Sequence, residues 1–176
     1  MIFKFRIILD TLDDVFRDIE IRKTDTLEDL HNAIIQAFGF DGTEMASFYK
    51  SDAEWNQGEE IVLHDMSEGQ ESVLMMNETA LEEGFSRDNT KMIFVYDFFN
   101  MWTFYVELAD IADPIDGQDY PNLMFAQGHL PENPPEKKFE AEKLDDENDF
   151  DDNLDDDAFN DSFENLDDFD FDQNWN

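Results

Sequence analysis

The chain has 176 residues, and 46 acidic side chains against 11 basic ones give it a formal charge of −35. So few cations exclude binding to a nucleic-acid backbone by counterion release and binding to an anionic membrane through a polybasic patch. The chain has no cysteine, which excludes disulfides, thiolate nucleophiles and cysteine zinc sites, and its length suits one domain with an appendage.

The first elements predicted along the chain are two strands joined as a hairpin. Apolar side chains occupy every second position in residues 3–9, and again in residues 15–21 except at Arg17. This period of two is typical of strands that bury one face, and the short link at residues 11–14 predicts an antiparallel pair. The apolar run ends at Asp10, too early for a signal peptide, so we expect a cytoplasmic protein.

A helix is predicted next, because the apolar period changes from two to three or four. Thr26 can cap the helix with Asp29 three residues later, and Gly39 can end it. The apolar positions between the two caps are Leu27, Leu30, Ile34 and Phe38.

The rest of the domain is predicted to be mainly strands. Shorter elements are indicated by strand patterns at residues 45–50, 60–64 and 72–76, and by a helix pattern at 79–83 before Gly84. Two stronger strands, 92–96 and 102–108, close the domain; the acidic residues within 92–109 make a membrane span too costly. These elements predict an α+β fold: a β-grasp-like roll with a β-β-α-β core, its main helix lying across a mixed or antiparallel sheet.

The charge divides the chain into three parts. Residues 139–176 hold 17 acidic side chains and one basic side chain, for a charge of −16, which leaves −19 on residues 1–138. Three prolines between positions 131 and 135 favour an extended linker. We therefore predict an α+β domain at 1–130, a Pro-rich linker at 131–138 and a disordered acidic tail at 139–176.

The patterns that carry chemistry are weak. Phosphate-binding glycine motifs and a complete serine elbow are absent, and the three histidines are too far apart in sequence to form a metal-binding motif, so no cofactor or metal is expected. His31 can be a hydrogen-bonded structural histidine or a ligand. Asp97 ends an apolar strand, where its carboxylate either holds the following turn through backbone N–H groups or serves a site.

Several segments resemble one family, the plasmid pRiA4b Orf3-like proteins, some of which are labelled mobile-element passenger or TnpR-type proteins. The resemblance covers about residues 1–125 and rests on the strand at 16–21, the helix block at 26–40, Phe48 and the motif at 96–102. The helix block is the most specific part of the resemblance, and the positions that match the family motif are Thr26, Leu30, His31, Phe38, Gly39, Tyr96, Asp97 and Trp102.

This resemblance implies a β-grasp-like roll in a bacterial, mobile-element context, and it implies little about activity. Family members tend to carry a Trp at the position of Phe40 and histidines near Glu44 and Ala46. Of a His/Asp cluster in relatives, this chain keeps His31 and Asp97. The resemblance therefore gives an enzymatic role less support here than in its relatives.

The acidic tail carries aromatic and leucine side chains at intervals: Phe150, Leu154, Phe159, Phe163, Leu166, Phe169, Phe171 and Trp175. A tail that only solubilises the chain needs none of them, whereas a segment that folds on a partner can bury them in apolar grooves with basic rims. We expect a non-enzymatic interaction protein whose tail binds a basic protein, by aromatic anchoring or by mimicry of nucleic acid. The alternative is a degenerate or unrecognised enzyme with a site near Asp97 and His31.

Overall fold

The computed structural model describes residues 1–136, which form one sheet with a helix packed across one face. The α-helices are α1 (Leu27–Phe38) and α2 (Leu81–Gly84), and a 3-10 helix lies at Met76–Glu78. The strands are β1 (Ile2–Leu9), β2 (Phe16–Arg22), β3 (Ala46–Ser51), β4 (Gln57–Val62), β5 (Leu74–Met75), β6 (Lys91–Tyr96), β7 (Trp102–Ala112) and β8 (Asn122–Gln127). None of these helices has the length and apolar composition needed to cross a membrane.

The strands form a single sheet in the order β5-β4-β3-β6-β7-β1-β2-β8. Neighbouring strands are antiparallel except β4 and β5, which are parallel. The predicted α+β class and the mainly antiparallel sheet are confirmed; the relation to β-grasp folds stays a prediction. The core lies between α1 and the central strands β6, β7 and β1.

The first hairpin forms as predicted. β1 and β2 are antiparallel, with Phe3 opposite Ile21 and Ile7 opposite Arg17. The alternating apolar side chains of β1 are buried, so the period of two marks the face that packs against the core. Arg17 shares that face, and it is also buried.

Helix α1 has the predicted bounds because both of its ends are capped locally. The Thr26 hydroxyl accepts a hydrogen bond from the backbone N–H of Asp29, and the Asp29 carboxylate accepts one from the backbone N–H of Thr26. Gly39 follows in the left-handed region with φ of 82°, and its N–H donates to the carbonyl of Ile35. A residue with a side chain would be strained at that φ, which explains the glycine.

Four strands differ from the prediction. β5 is only Leu74–Met75, shorter than the predicted 72–76, because the 3-10 helix Met76–Glu78 follows it directly. β4 begins at Gln57 and ends at Val62, so it lies a few residues before the predicted 60–64, and β7 continues to Ala112. β8 was not predicted, because its side chains are largely exposed and give no alternating apolar signal. It forms by pairing with the outer edge of β2.

The chain leaves the sheet just before the predicted linker. Leu130 still packs against the core. The predicted tail at 139–176 lies outside the described residues.

Candidate functional site

Asp97 opens the turn between β6 and β7, at residues 97–101, and its carboxylate is bonded within that turn. One oxygen accepts hydrogen bonds from the backbone N–H groups of Phe99 at 3.1 Å and Asn100 at 3.3 Å. The other accepts from the Asn100 side-chain amide at 2.6 Å. The Asp97 N–H donates to the carbonyl of Met45 at 2.8 Å. Of the two roles that the sequence leaves open for Asp97, these contacts correspond to holding the turn.

The backbone of this turn is held in an uncommon conformation at both ends. Asp97 has a φ of 60° and Met101 a φ of 56°, both in the left-handed region that residues with side chains rarely occupy. The Met101 N–H donates to the carbonyl of Asp97 at 2.6 Å. Such conformations cost about 1–3 kcal/mol each and persist where the surroundings fix them. In this turn, the hydrogen bonds of Asp97 are the local interactions that hold the backbone in its left-handed conformations.

His31 lies on the core-facing side of α1, where it is only 3% exposed. Its Nδ1 is 3.1 Å from the side-chain oxygen of Asn32, so we assign the ring proton to Nδ1. Nε2 is buried and has no hydrogen-bond partner within residues 1–136. The ring meets the Phe94 ring edge-on, with centroids 5.7 Å apart. Burial lowers the pKa of His31, because the charged form loses its hydration.

His31 is expected to make stability depend on pH. The unfolded state takes up the proton more readily than the folded state, so the free energy of unfolding should fall as the pH drops below about 6.5. The groups that act on its charge are Asn32 and Glu28 on α1, which favour the charged form, and His64, which opposes it. His31→Leu should therefore lose less stability than the parent chain between pH 7.5 and 5.5, as measured by urea unfolding.

The matched control for this prediction is His129→Gln, since His129 is exposed. That variant should follow the parent chain across the same pH range. Equal pH dependence in His31→Leu and the parent chain would contradict the assignment.

Beside the turn is an open recess of about 250 Å³, whose lining includes Ser47, Glu60, His64 and Phe98. The Glu60 carboxylate accepts hydrogen bonds from the Ser47 hydroxyl at 2.7 Å and the Tyr49 hydroxyl at 3.1 Å. Among residues 1–136 there is no group of three or more histidine or acidic side chains placed to hold a metal ion. Of the acids that line this recess, Glu60 is thus engaged by neighbouring hydroxyls.

Most of the basic side chains of the domain are engaged internally. Residues 1–136 hold 29 acidic and 8 basic side chains, for a net charge of −21. Four of the bases form ion pairs: Lys4 with Glu20, Arg6 with Asp18, Lys23 with Glu82 and Lys50 with Glu59. Arg17 is buried, and Arg22 and Lys91 lie over the rings of Tyr120 and Trp55. On the β1–β2 hairpin, Lys4 and Arg6 are therefore paired with acids of the hairpin itself.

Sequence reasoning missed the exposed apolar side chains of the β6–β7 turn. Phe99 is 94% exposed, while Phe98 and Met101 are 43% and 42% exposed. The available signal was composition, because a turn between strands usually carries glycine, proline, asparagine, aspartate or serine rather than three large apolar residues. The predicted tail residues, Phe150 to Trp175, lie beyond the part of the chain that the structure describes.

Comparison with known proteins gives a family and a fold. The sequence matches the family model described as "Plasmid pRiA4b ORF-3-like protein" over residues 1–175, further than the expected 1–125. The structure is similar to the crystal structure of the Protein of Unknown Function MM3350 from Methanosarcina mazei Go1, with a TM-score of 0.62 and 18% identity, covering 71% of this chain and 68% of that chain. At this identity the likeness shows the fold alone. No curated protein matches the sequence.

Proposed function

The chain belongs to the plasmid pRiA4b ORF-3-like family, and from that premise we propose that it is a non-enzymatic interaction protein that binds a basic protein through its acidic tail. The observation that carries the proposal is the distribution of charge. The tail, residues 139–176, has 17 acidic side chains against Lys143 alone. Residues 1–136 add a charge of −21 and engage most of their own bases. Both parts therefore attract a cationic surface.

The aromatic side chains of the tail supply the second part of the proposal. Seven aromatic residues lie within its 38 positions. Each one buried on a partner contributes about 1.5–3 kcal/mol, which offsets the cost of ordering the segment. The carboxylates of the tail attract a basic surface and the aromatic side chains bind in apolar grooves. The expected partner therefore offers apolar grooves with basic rims.

The enzymatic alternative has less support from the geometry. The Asp97 carboxylate is bonded within its own turn, and the His31 ring is buried against Phe94. A general acid or base has to reach its substrate, and neither group is free to do so in this arrangement.

The test begins with affinity capture by the full chain, identification of the captured protein, and its purification. Replacing Phe163, Phe169 and Trp175 with alanine should raise the Kd for that protein by at least about tenfold, because each lost ring removes about 1.5–3 kcal/mol of apolar burial. The matched control replaces Asp161, Asp167 and Asp170 with asparagine, which keeps the rings and removes three charges.

Salt separates the two modes of tail binding. If the rings anchor the tail, the Asp-to-Asn control should mainly reduce the dependence of Kd on ionic strength. If the tail mimics nucleic acid, the same control should weaken binding strongly at low salt and the ring variant should not. A Kd unchanged in both variants, or a captured protein without a basic surface, would overturn the proposal.

A further inference from the structure

The antiparallel strand order brings several connections to one end of the sheet. β1 ends beside the start of β7, where Leu9 pairs with Phe104, so the β1–β2 link lies next to the β6–β7 turn. β3 begins beside the end of β6, and β4 ends beside the start of β3. The segment that follows β4, residues 63–73, therefore leaves from the same end.

This end of the sheet exposes large apolar side chains. Beyond those of the β6–β7 turn, Leu12 in the β1–β2 link is fully exposed and Met66 after β4 is 76% exposed. Met66 and Phe98 line the same recess. We call this set the apical cluster: Leu12, Met66, Phe98, Phe99 and Met101. Single exposed apolar residues are ordinary, but several on neighbouring loops point to an interaction surface.

Among the three residues of the apical cluster that lie in the β6–β7 turn, Phe99 is the most exposed. Its backbone is held by hydrogen bonds. Its own N–H donates to the Asp97 carboxylate, which also holds the next residue. Below the turn, Tyr96 and Trp102 are buried and pack against the Phe40 ring at 4.6 and 5.4 Å between centroids. An aromatic side chain on a backbone that is already ordered binds at low entropic cost, which is the usual property of an interface anchor.

The charge around the apical cluster indicates which kind of partner can bind there. The connections at this end, residues 10–15, 39–45, 63–73 and 97–101, contain nine acidic side chains and no lysine or arginine. Repulsion between like charges disfavours a second copy of this chain and an anionic membrane. A basic rim around an apolar pocket is the complementary surface.

We propose that the apical cluster is a docking surface for a protein that accepts the Phe99 side chain in an apolar pocket rimmed by lysine or arginine. This inference rests on the proposed function, since it gives the basic partner a second point of contact on the folded domain. It assigns Asp97 as a positioning residue that holds the turn presenting Phe99.

The first experiment replaces Phe99 in the full chain with the photo-crosslinking residue p-benzoylphenylalanine and maps the crosslinked peptides by mass spectrometry. We expect crosslinks to a protein segment with apolar residues flanked by lysine or arginine. The same replacement at Phe125, which is exposed on β8, is the matched control and should not give that crosslink. Crosslinks from position 99 to a second copy or to lipid, or no crosslink at all, would overturn the inference.

The second experiment titrates the crosslinked protein, once purified, against full-chain variants. Phe99→Ala should raise the Kd by at least about tenfold, while Phe125→Ala should leave it unchanged. Asp97→Ala should also raise the Kd, since the turn loses the acceptor that fixes it. Unchanged binding by Phe99→Ala would overturn the docking surface even if the tail variants weaken binding. Weakening by Phe99→Ala without any effect of the tail variants would instead overturn the proposed tail function.

Discussion

Replacing Phe94 with alanine is expected to lower the free energy of unfolding by about 3–5 kcal/mol, because truncating a buried aromatic side chain loses its burial and leaves a cavity. Phe94 is fully buried on β6, near the middle of the sheet. Its ring lies 4.8 Å from that of Phe48 and 5.9 Å from that of Phe104, and it also meets the His31 ring. No neighbouring side chain can close the space without leaving its own packing.

Urea unfolding of the full chain, followed by tryptophan fluorescence, measures this change. The matched control is Phe99→Ala, the same substitution at a side chain that is 94% exposed, and it should change the free energy of unfolding by no more than about 0.5 kcal/mol. Phe94→Leu keeps part of the volume and should fall between the two. A loss below about 1 kcal/mol for Phe94→Ala would contradict the core position.

The first three elements could be predicted from the sequence because their signals are local. The alternation in residues 3–9 and 15–21 gives the buried faces of β1 and β2, and the caps at Thr26 and Gly39 give the bounds of α1. Each of these signals depends on side chains within one element or one turn of it. These signals therefore do not depend on which strands become neighbours in the sheet.

The strand β8 depends on its neighbour instead. Its residues, Asn122–Gln127, are uncharged and largely exposed, so neither periodicity nor burial marks them as a strand. They become one because β2 offers a free edge of N–H and C=O groups. The start of β4 was predicted too late in the chain for a related reason, since the first four residues of the strand are exposed and carry no apolar pattern.

The candidate site was partly visible in the sequence. Asp97 stands out as an acid that ends an apolar strand, and its interactions with the turn follow from that position. The exposure of Phe98 and Phe99 was missed, because an apolar run is typical of a buried segment and the unusual composition of the turn was the only signal against burial. It results from the backbone, which turns through left-handed φ values at Asp97 and Met101 and directs the residues between them toward solvent.

Arg17 shows how a residue that breaks a pattern can still belong to the core. It interrupts the apolar face of β2, yet it is buried and its guanidinium lies 4.7 Å from the centre of the Phe38 ring. Burial lowers its pKa, since the charged form loses hydration. In a chain with 46 acids its hydrogen bonds go to neutral acceptors, at 2.8–3.1 Å: the backbone carbonyls of Phe16, Ala37, Gln127 and Gly128. The side chain therefore connects the end of α1 to the end of β8.

Arg17→Met is expected to lower the free energy of unfolding by about 2–4 kcal/mol, because the carbonyls lose a charged donor and stay partly buried. Arg17→Lys should recover only part of this loss, since one ammonium group cannot reach the same four oxygens. The control is Arg87→Met, at an exposed arginine, which should have little effect. Hydrogen exchange measures the local effect. In Arg17→Met the amides of β8 should exchange faster than in the parent chain, while the exchange rates of the β6 amides should change only as far as the free energy of unfolding changes. Unchanged exchange in β8 would contradict the role of Arg17 in holding that strand.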